Sequence, residues 1–346
     1  MNKYQPDTRV GEYILEECVG AGTFGEVWRA RHHVWKNDQV AVKLPTEPEY
    51  VRYLQREGVV VHGIRHPNII RVINFDPYAE NPYLVMELVD GPALRQIIDE
   101  HEKGLPLETV LIVLRGILGA LSAAHEANVL HRDLKPGNIM LNLAERPLAE
   151  LTSADIKIGD FGLGVSDADT LRSIAQSASL THEDALVGTL AYMAPEFRDG
   201  LRQPDARSDL FAVGVMLFEM LTGERPAGAE LPSALRKDSP TSLDEVFRRL
   251  YSRHSGRYET AQAVLDDLEQ RLSPPPPPPV AGVSAPQGAL TTCPACRHVI
   301  AADDQFCTQC GHQLVTRLRR CPSCHGYPGR QDQYCIFCGT VLPSEE

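Results

Sequence analysis

The chain has 346 residues and a formal net charge of −12 at pH 7, long enough for one large domain and something smaller. From Cys293 onward five Arg balance three Asp and two Glu, so the acidity lies upstream, where it argues against a general nucleic-acid surface. No uninterrupted apolar run approaches the ~20 residues that a membrane span requires, and Met1 to Arg9 is polar without a signal-peptide core; a soluble, cytoplasmic protein is the expectation.

In chain order, short apolar or alternating runs at residues 13–19, 26–32 and 39–44, with Gly or charged turns between them, predict a meander of strands. Cys18 falls in the first and reads as a buried, inert thiol. Across the first turn, Val19-Gly20-Ala21-Gly22-Thr23-Phe24-Gly25-Glu26-Val27 fits G-x-G-x-x-G-x-V, and Lys43 of Val40-Ala41-Val42-Lys43 follows 16 residues after Val27. His66-Pro67-Asn68-Ile69-Ile70 comes next, then the apolar segment Leu84-Val85-Met86-Glu87-Leu88-Val89-Asp90-Gly91. From residue 107 to 127 apolar residues recur at helical spacing, as in a buried amphipathic helix. His131-Arg132-Asp133-Leu134-Lys135-Pro136-Gly137-Asn138 follows, and Asp160-Phe161-Gly162 begins 22 residues after Asn138. The intervening residues 144–154 read as the lengthened part of a hairpin, and residues 205–221, 242–251 and 260–272 as further helices. Between Gly223 and Leu243 helical pattern is poor.

Residues 273–292 form a linker: Pro274 to Pro279, then a run with no charge and no periodicity. At about 3.1 Å per residue the prolines predict a stiff polyproline II rod of ~19 Å, followed by a looser tether. A ligand for a proline-recognition module is the other reading of such a run. Downstream, Cys293, Cys296, Cys307 and Cys310 recur as Cys321, Cys324, Cys335 and Cys338, offset by 28 at every position. Both copies read C-P-x-C-x10-C-x-x-C-G. Clustered C-x-x-C pairs without a secretion signal read as Zn²⁺ ligands sooner than as disulfides. With few apolar residues, the tail would draw its folding energy from metal, about 10–16 kcal/mol in zinc-finger peptides. His298, His312 and His325 are surplus to four-thiolate sites.

Residues 131–138 resemble the catalytic loop of the protein kinases. At a flat frequency of ~1/20, its seven fixed residues have a chance match of roughly one in a billion per start point. The glycine loop, Val40 to Lys43 and Asp160-Phe161-Gly162 extend the resemblance over about residues 13–272, the kinase domain. It implies an α+β, bilobal fold: a small β-rich N-lobe and a helical C-lobe. The tail, residues 293–342 as two halves (293–314 and 321–342), resembles a double zinc ribbon.

For the site, the resemblance implies ATP and Mg²⁺. Gly20, Gly22 and Gly25 bring backbone close over the phosphates, with Val19 and Val27 flanking them. Lys43 holds the α- and β-phosphates and pairs with Glu57. Met86 is the gatekeeper, the backbone of Glu87 and Val89 binds adenine, and Val27, Ala41 and Met140 sandwich the base. Asp133 takes the substrate hydroxyl proton, Lys135 offsets charge on the transferring phosphate, and Asn138 with Asp160 brings in Mg²⁺. Lys135 and Gly188-Thr189 before Tyr192-Met193-Ala194-Pro195-Glu196 resemble the serine/threonine branch of the family and its bacterial, eukaryotic-like members. Thr189 then hydrogen-bonds Asp133 and Lys135, Asp209 braces the loop, and Arg257 pairs with Glu196. Arg132 implies control by a phosphate or an acid in the activation segment, with Thr181 the expected phosphosite and Glu183 or Asp184 supplying basal activity.

The leading expectation is a serine/threonine kinase acting on protein hydroxyls. Its zinc ribbons would bind a protein partner; Arg317, Arg319 and Arg320 form a small basic patch, but nucleic acid is not the expected partner. A catalytically idle signalling scaffold and a small-molecule phosphotransferase are the competing readings. The reduced segment between Gly223 and Leu243 bears on substrate choice rather than catalysis.

Overall fold

A computed structural model of the chain describes residues 4–22, 25–45, 51, 63–161 and 190–272, and in the tail 291–300, 304–307, 309–316, 318–328, 332–335 and 338–343. Two compact units result, Met1–Ser273 and Pro274–Glu346. The first opens with a six-stranded antiparallel sheet: β1 (Arg9–Val10), β2 (Tyr13–Gly22), β3 (Gly25–His32), β4 (Gln39–Leu44), β5 (Val72–Asp76) and β6 (Tyr83–Glu87), in spatial order β1-β2-β3-β4-β6-β5. Strand β4 is buried on both faces because the sheet carries two apolar surfaces. Val40, Val42 and Leu44 pack with Leu15, Trp28 and Val85 on one face, while Ala41 joins Leu84 and Met86 on the other. Expected strand 13–19 runs on to Gly22, so the glycine loop is a tight hairpin between β2 and β3, with Gly22 opposite Gly25. Cys18 is half-buried beside the first of these surfaces.

The helical half contains α1 (Leu94–Asp99), α2 (Leu107–Glu126), α3 (Pro195–Arg198), α4 (Ala206–Thr222), α5 (Pro232–Leu235), α6 (Thr241–Leu250) and α7 (Ala261–Leu272). Helix α2 is long and apolar enough to cross a membrane. Here Val113, Leu114, Ile117, Leu118 and Leu121 are instead buried in the core, against α4, α7 and the hairpin of β7 (Ile139–Leu141) and β8 (Ile156–Ile158). Asp205 caps α4, its side chain accepting from the Arg207 N–H at 3.0 Å, and Gly223 ends the helix in the left-handed region at φ 81°. Nearly every residue of α4 is buried, as a central lobe helix requires.

The lengthened β7–β8 connection is held from within. Asp155 accepts from the Arg146 guanidinium at 2.5 Å and from the Thr152 N–H and hydroxyl at 2.8 and 2.7 Å. Between Gly223 and the start of α6 at Thr241 the only described α-helix is the four-residue α5. Arg236 pins that stretch by donating to the carbonyls of Leu105 and Leu221.

The join between strand half and helical half runs through residues 68–70. Ile70 N–H donates to Ile158 O at 2.9 Å, Ile158 N–H donates to Asn68 O at 2.8 Å, and the buried Asn68 amide donates to the carbonyls of Ser153 and Ile156. Removing that amide leaves two carbonyls without a donor, at about 1–3 kcal/mol each when buried. Asn68→Ala is therefore expected to lower stability by about 2 kcal/mol or more in denaturant unfolding, and Asn68→Asp, which lacks the donor, to restore none of it.

Candidate active site and metal centres

The loop after α2 is shaped by one buried carboxylate. Asp209 of α4 accepts from the His131 N–H and the Arg132 N–H, both at 2.9 Å, and from His125 Nε2 at 2.8 Å. Burial works against its charge, yet these donors hold the carboxyl below its ordinary range. Bracing by Asp209 lets Arg132 sit at φ 68°, left-handed backbone that an L-residue seldom adopts. His131 is fully buried, and burial pushes its pKa down. Its Nδ1 accepts the Asp133 N–H (3.3 Å), so the proton lies on Nε2, which donates to Gly159 O (3.0 Å). The imidazole thus ties the loop to the residue before Asp160, and Phe161 packs against it at 4.6 Å between ring centroids.

Four polar residues converge here. Lys135 Nζ lies 2.8 Å from Asp133 Oδ2, and the Asn138 amide donates to the Asp133 carbonyl at 2.8 Å and to Oδ2 at 3.2 Å. Gly159 N–H donates to Asn138 O at 3.0 Å, which brings Asn138 next to Asp160. Asp160, at φ 61°, makes a 2.6 Å ion pair with Lys43 of β4, whose side chain is 7% exposed against 37% for Asp160. The pairing foreseen for Lys43 with Glu57 lies outside the described residues.

In the cleft between sheet and loop, Ala41, Met86 and Val27 share one apolar surface, Ala41 lying directly opposite Met86 in the β4–β6 pair. Met140 lies on β7, bridged to Ala93, and Val19 is half-exposed at the cleft side of β2. Glu87 N–H donates to Arg71 O at 2.9 Å, and its carboxylate accepts from Lys157 at 2.9 Å. The Glu87 N–H is thus committed within the protein.

The glycines separate into two classes. A Cβ on Gly25 would stand 2.2 Å from the Leu44 carbonyl oxygen, so the sheet itself forbids a side chain there. On Gly20 a Cβ would meet only Val27 Cβ at 3.8 Å, ordinary contact, so nothing described in the protein demands glycine there.

Residues 162–189, including Thr181, Glu183, Asp184, Gly188 and Thr189, lie outside the described residues, so the expected contacts of Thr189 and the phosphosite are not placed. Arg132 Nε is buried with no hydrogen-bond partner among the described residues. A cavity of about 20 Å³ beside it is lined by Asp133, Tyr192, Phe197 and Asp209. Arg257, its side chain 0% exposed, forms a fork with Glu196 at 2.5 and 2.9 Å. Burial opposes the Glu196 charge, but this bidentate partner holds its carboxyl below the ordinary 4.5. The Tyr192 hydroxyl donates to buried Glu219, which also binds Arg95 at 2.8 Å; sequence reading missed this triad because its members carry no shared motif.

In the tail, each four-cysteine set brings its sulfurs together. Sγ–Sγ distances are 3.7 Å for Cys293–Cys310 and 3.5 Å for Cys296–Cys307, Cys321–Cys338 and Cys324–Cys335. A tetrahedron with Zn–S of about 2.3 Å has an edge of about 3.8 Å, whereas a disulfide needs about 2.05 Å. The sets fit two zinc ions and no disulfide. The three surplus histidines are exposed and lie outside both sets. In every knuckle the residue four after the first cysteine is left-handed: Arg297, Gly311, His325 and Gly339, at φ 62°, 72°, 60° and 73°. That conformation is why glycine follows the last cysteine of each copy. The halves are joined by Gln305, 5% exposed, whose amide donates to Arg319 O (3.0 Å) and Pro328 O (2.6 Å) and accepts Arg319 N–H (2.5 Å). Of the expected basic patch, Arg319 is taken by the carbonyls of Asp332 and Pro343, and Arg320 by the Tyr327 hydroxyl. Arg317 lies outside the described residues. Arg319 is thereby half-buried and bound within the tail, while Arg320 stays exposed and keeps its charge toward solvent.

Gly20→Ala is expected to leave stability within about 0.5 kcal/mol of the parent and to weaken nucleotide binding roughly fivefold or more, whereas Gly25→Ala should lose about 2 kcal/mol of stability. Denaturant unfolding and nucleotide titration separate the two. Because the Glu196 carboxyl is lowered below 4.5, the fork stabilises fully above that pH and its contribution is lost as pH falls through the folded value. Arg257→Met removes this, and pH-dependent unfolding should show a smaller loss of stability on acidification together with a lower neutral-pH stability, by about 3 kcal/mol. Stripping zinc with a chelator should release two ions per chain and abolish amide protection in the tail while the melting of the first unit stays unchanged.

A protein kinase domain model matches residues 13–272 and a double zinc ribbon model matches residues 293–339. "Probable serine/threonine-protein kinase SCO3848" of Streptomyces coelicolor is 32% identical over 83% of this chain and 43% of its own length. Serine/threonine-protein kinase PknL of Mycobacterium tuberculosis is 31% identical over 74% of this chain and 65% of its own. The chain spans about half the length of the curated relatives it matches. The crystal structure of the Mycobacterium tuberculosis PknI kinase domain covers 78% of this chain and 99% of that domain with a TM-score of 0.59, a likeness of fold at 23% identity. With the bilobal architecture and loop geometry above, these matches establish that the chain belongs to the protein kinase domain family and carries a double zinc ribbon beyond that domain.

Proposed function

We propose that this chain is an ATP- and Mg²⁺-dependent serine/threonine kinase of proteins, working in the cytoplasm, with residues 13–272 catalytic, 273–292 a linker and 293–342 a recruiting or regulating double ribbon. The observation that carries the reading is the convergence of Lys135 and Asn138 on one oxygen of Asp133. Both donors fall on Oδ2, so Oδ1 is left to accept the proton of a substrate hydroxyl. The hydroxyl oxygen attacks the γ-phosphorus, the bond to the β–γ bridging oxygen breaks, and ADP leaves. Lys135 balances charge on the transferring group, and Lys43, steadied by Glu57, holds the α- and β-phosphates. Magnesium on Asn138 and Asp160 supplies charge neutralisation. Val27, Ala41, Met86 and Met140 enclose the base beneath Val19, with backbone of Glu87 and Val89 along its edge. Arg132 awaits an anion from the activation segment, for which phosphorylated Thr181 is our assignment; the unpartnered, buried Nε of Arg132 supports it. Thr189 positions Asp133 and Lys135. The ribbons bind protein rather than nucleic acid, as the engagement of Arg319 by the carbonyls of Asp332 and Pro343 supports.

The test is phosphate incorporation by purified, zinc-loaded protein with Mg-ATP and a generic protein acceptor, beside Asp160→Ala. Incorporation by the parent and a loss of at least 100-fold in the variant is the expected outcome, with phosphate mapped to Thr181 and Thr181→Ala lowering the rate. No incorporation by either form, with or without residues after Leu272, overturns the reading in favour of an idle scaffold.

A further inference from the structure

The ribbons repeat with an offset of 28, so each position in the first has a counterpart in the second. Gln305, Phe306 and Gln313 correspond to Gln333, Tyr334 and Val341. Their backbone settings match: Gln305 O accepts Leu314 N–H and Gln333 O accepts Leu342 N–H, both at 2.9 Å. Phe306 bridges Gln313 as Tyr334 bridges Val341. Their surroundings differ. In the first ribbon Gln305 is buried and Phe306 half-buried, the Gln305 amide gripping the backbone of Arg319 and Pro328 and Phe306 meeting Tyr327 edge-on at 5.0 Å, while Gln313 is exposed. In the second ribbon Gln333 is exposed, and Tyr334 and Val341 are 59% and 67% exposed.

What the first ribbon grips has a definite chemistry. In the first ribbon Thr291 pairs with Ile300 in a short ladder. Their counterparts are Arg319 and Pro328, and proline has no N–H with which to close that ladder. The Gln305 amide fills the gap, accepting from one strand and donating to both. The aromatic residue before the proline, Tyr327, supplies the apolar contact.

Resting on the reading that the ribbons recruit protein, we propose that Gln333, Tyr334 and Val341 form a docking face for an extended segment of a partner protein in which an aromatic residue precedes a proline. Gln333 donates to the carbonyl of that proline, as Gln305 does to Pro328 O, and Tyr334 meets the aromatic ring, as Phe306 meets Tyr327, with Val341 beside it. A second copy of this chain fits less well, since its own Thr291 and Ile300 already pair with each other.

Zinc-loaded full chain, with its glutamine side-chain amides labelled, is titrated with the synthetic peptide Arg-Arg-Gly-Tyr-Pro-Gly and with versions carrying Ala for Tyr or Ala for Pro. The expected result is a saturable shift of the Gln333 amide signal with the parent peptide, and at least fivefold weaker binding of either altered peptide. Gln333→Glu, which turns the donor into a second acceptor, and Tyr334→Ala should each weaken binding about tenfold while zinc content and phosphate incorporation stay as in the parent. A Gln333 signal that never shifts, or unchanged affinity in both variants, overturns the proposal. Peptide that binds the tail on the first ribbon instead also overturns this face but leaves recruitment standing; a chain whose tail deletion changes neither partner capture nor partner phosphorylation overturns recruitment itself.

Discussion

Asp209 fixes a loop that could not hold its shape by local preference. Arg132 in the left-handed region costs about 1–2 kcal/mol relative to ordinary helical or extended backbone. Two backbone amides converge on one carboxylate because of that turn, and the carboxylate is available because α4 is capped by Asp205 and packed on nearly every side. The helix is therefore more than filler for the C-lobe. Its register delivers a buried charge to the underside of the loop, and the amides it binds compensate the charge in turn. His131 then extends the brace upward to Gly159, so that Asp133 and Asp160 are positioned by one connected set of bonds. A residue replaced anywhere in this set shifts both carboxylates together.

The tail solves the same problem with different means. Its buried residues are chiefly cysteines, with Ile300 in one half and Leu342 in the other. Such a core contributes little burial, yet each knuckle holds a left-handed residue, and two of these, Arg297 and His325, are not glycine. Thiolate–metal bonds must outweigh that backbone cost, as burial outweighs it in the lobes. Gln305 shows the second requirement of a coreless fold. Among the described residues the buried clusters of the two halves are separate, and one amide with three backbone bonds, beside the Phe306–Tyr327 ring contact, joins them.

Much of this was legible from residues alone. The fold and the convergence of Asp133, Lys135, Asn138 and Asp160 follow from short motifs, because phosphoryl transfer needs particular groups at particular spacings along one loop. Spacing likewise revealed the cysteine sets, where a turn of fixed size presents two sulfurs. Features set by distant backbone were not legible. Gly25 looks like a phosphate glycine, but its side chain is excluded by Leu44, a strand away. The Tyr192–Glu219–Arg95 triad joins three elements far apart in sequence. Arg319 looks like part of an exposed basic patch, and only the folded tail brings the carbonyls of Asp332 and Pro343 to it. One missed feature did leave a trace: Pro328 replaces the Ile300 of the first copy, and a repeat that loses an N–H must find a donor elsewhere.

Lys43 and Asp160 meet directly at 2.6 Å, although the chemistry assigns one to phosphate and the other to the metal ion. The contact is a consequence of the same architecture. Lys43 is buried from β4, and an ammonium left there without an anion would carry a desolvation cost of several kcal/mol. Among the described residues Asp160 is an anion in reach, because the Gly159 N–H to Asn138 O bond keeps it beside the loop. On the roles proposed above, nucleotide binding parts the pair, but each partner leaves for an opposite charge: the ammonium for phosphate oxygens, the carboxylate for a divalent cation. The exchange conserves charge complementarity, so the pair acts as a placeholder that keeps both side chains extended into the cleft.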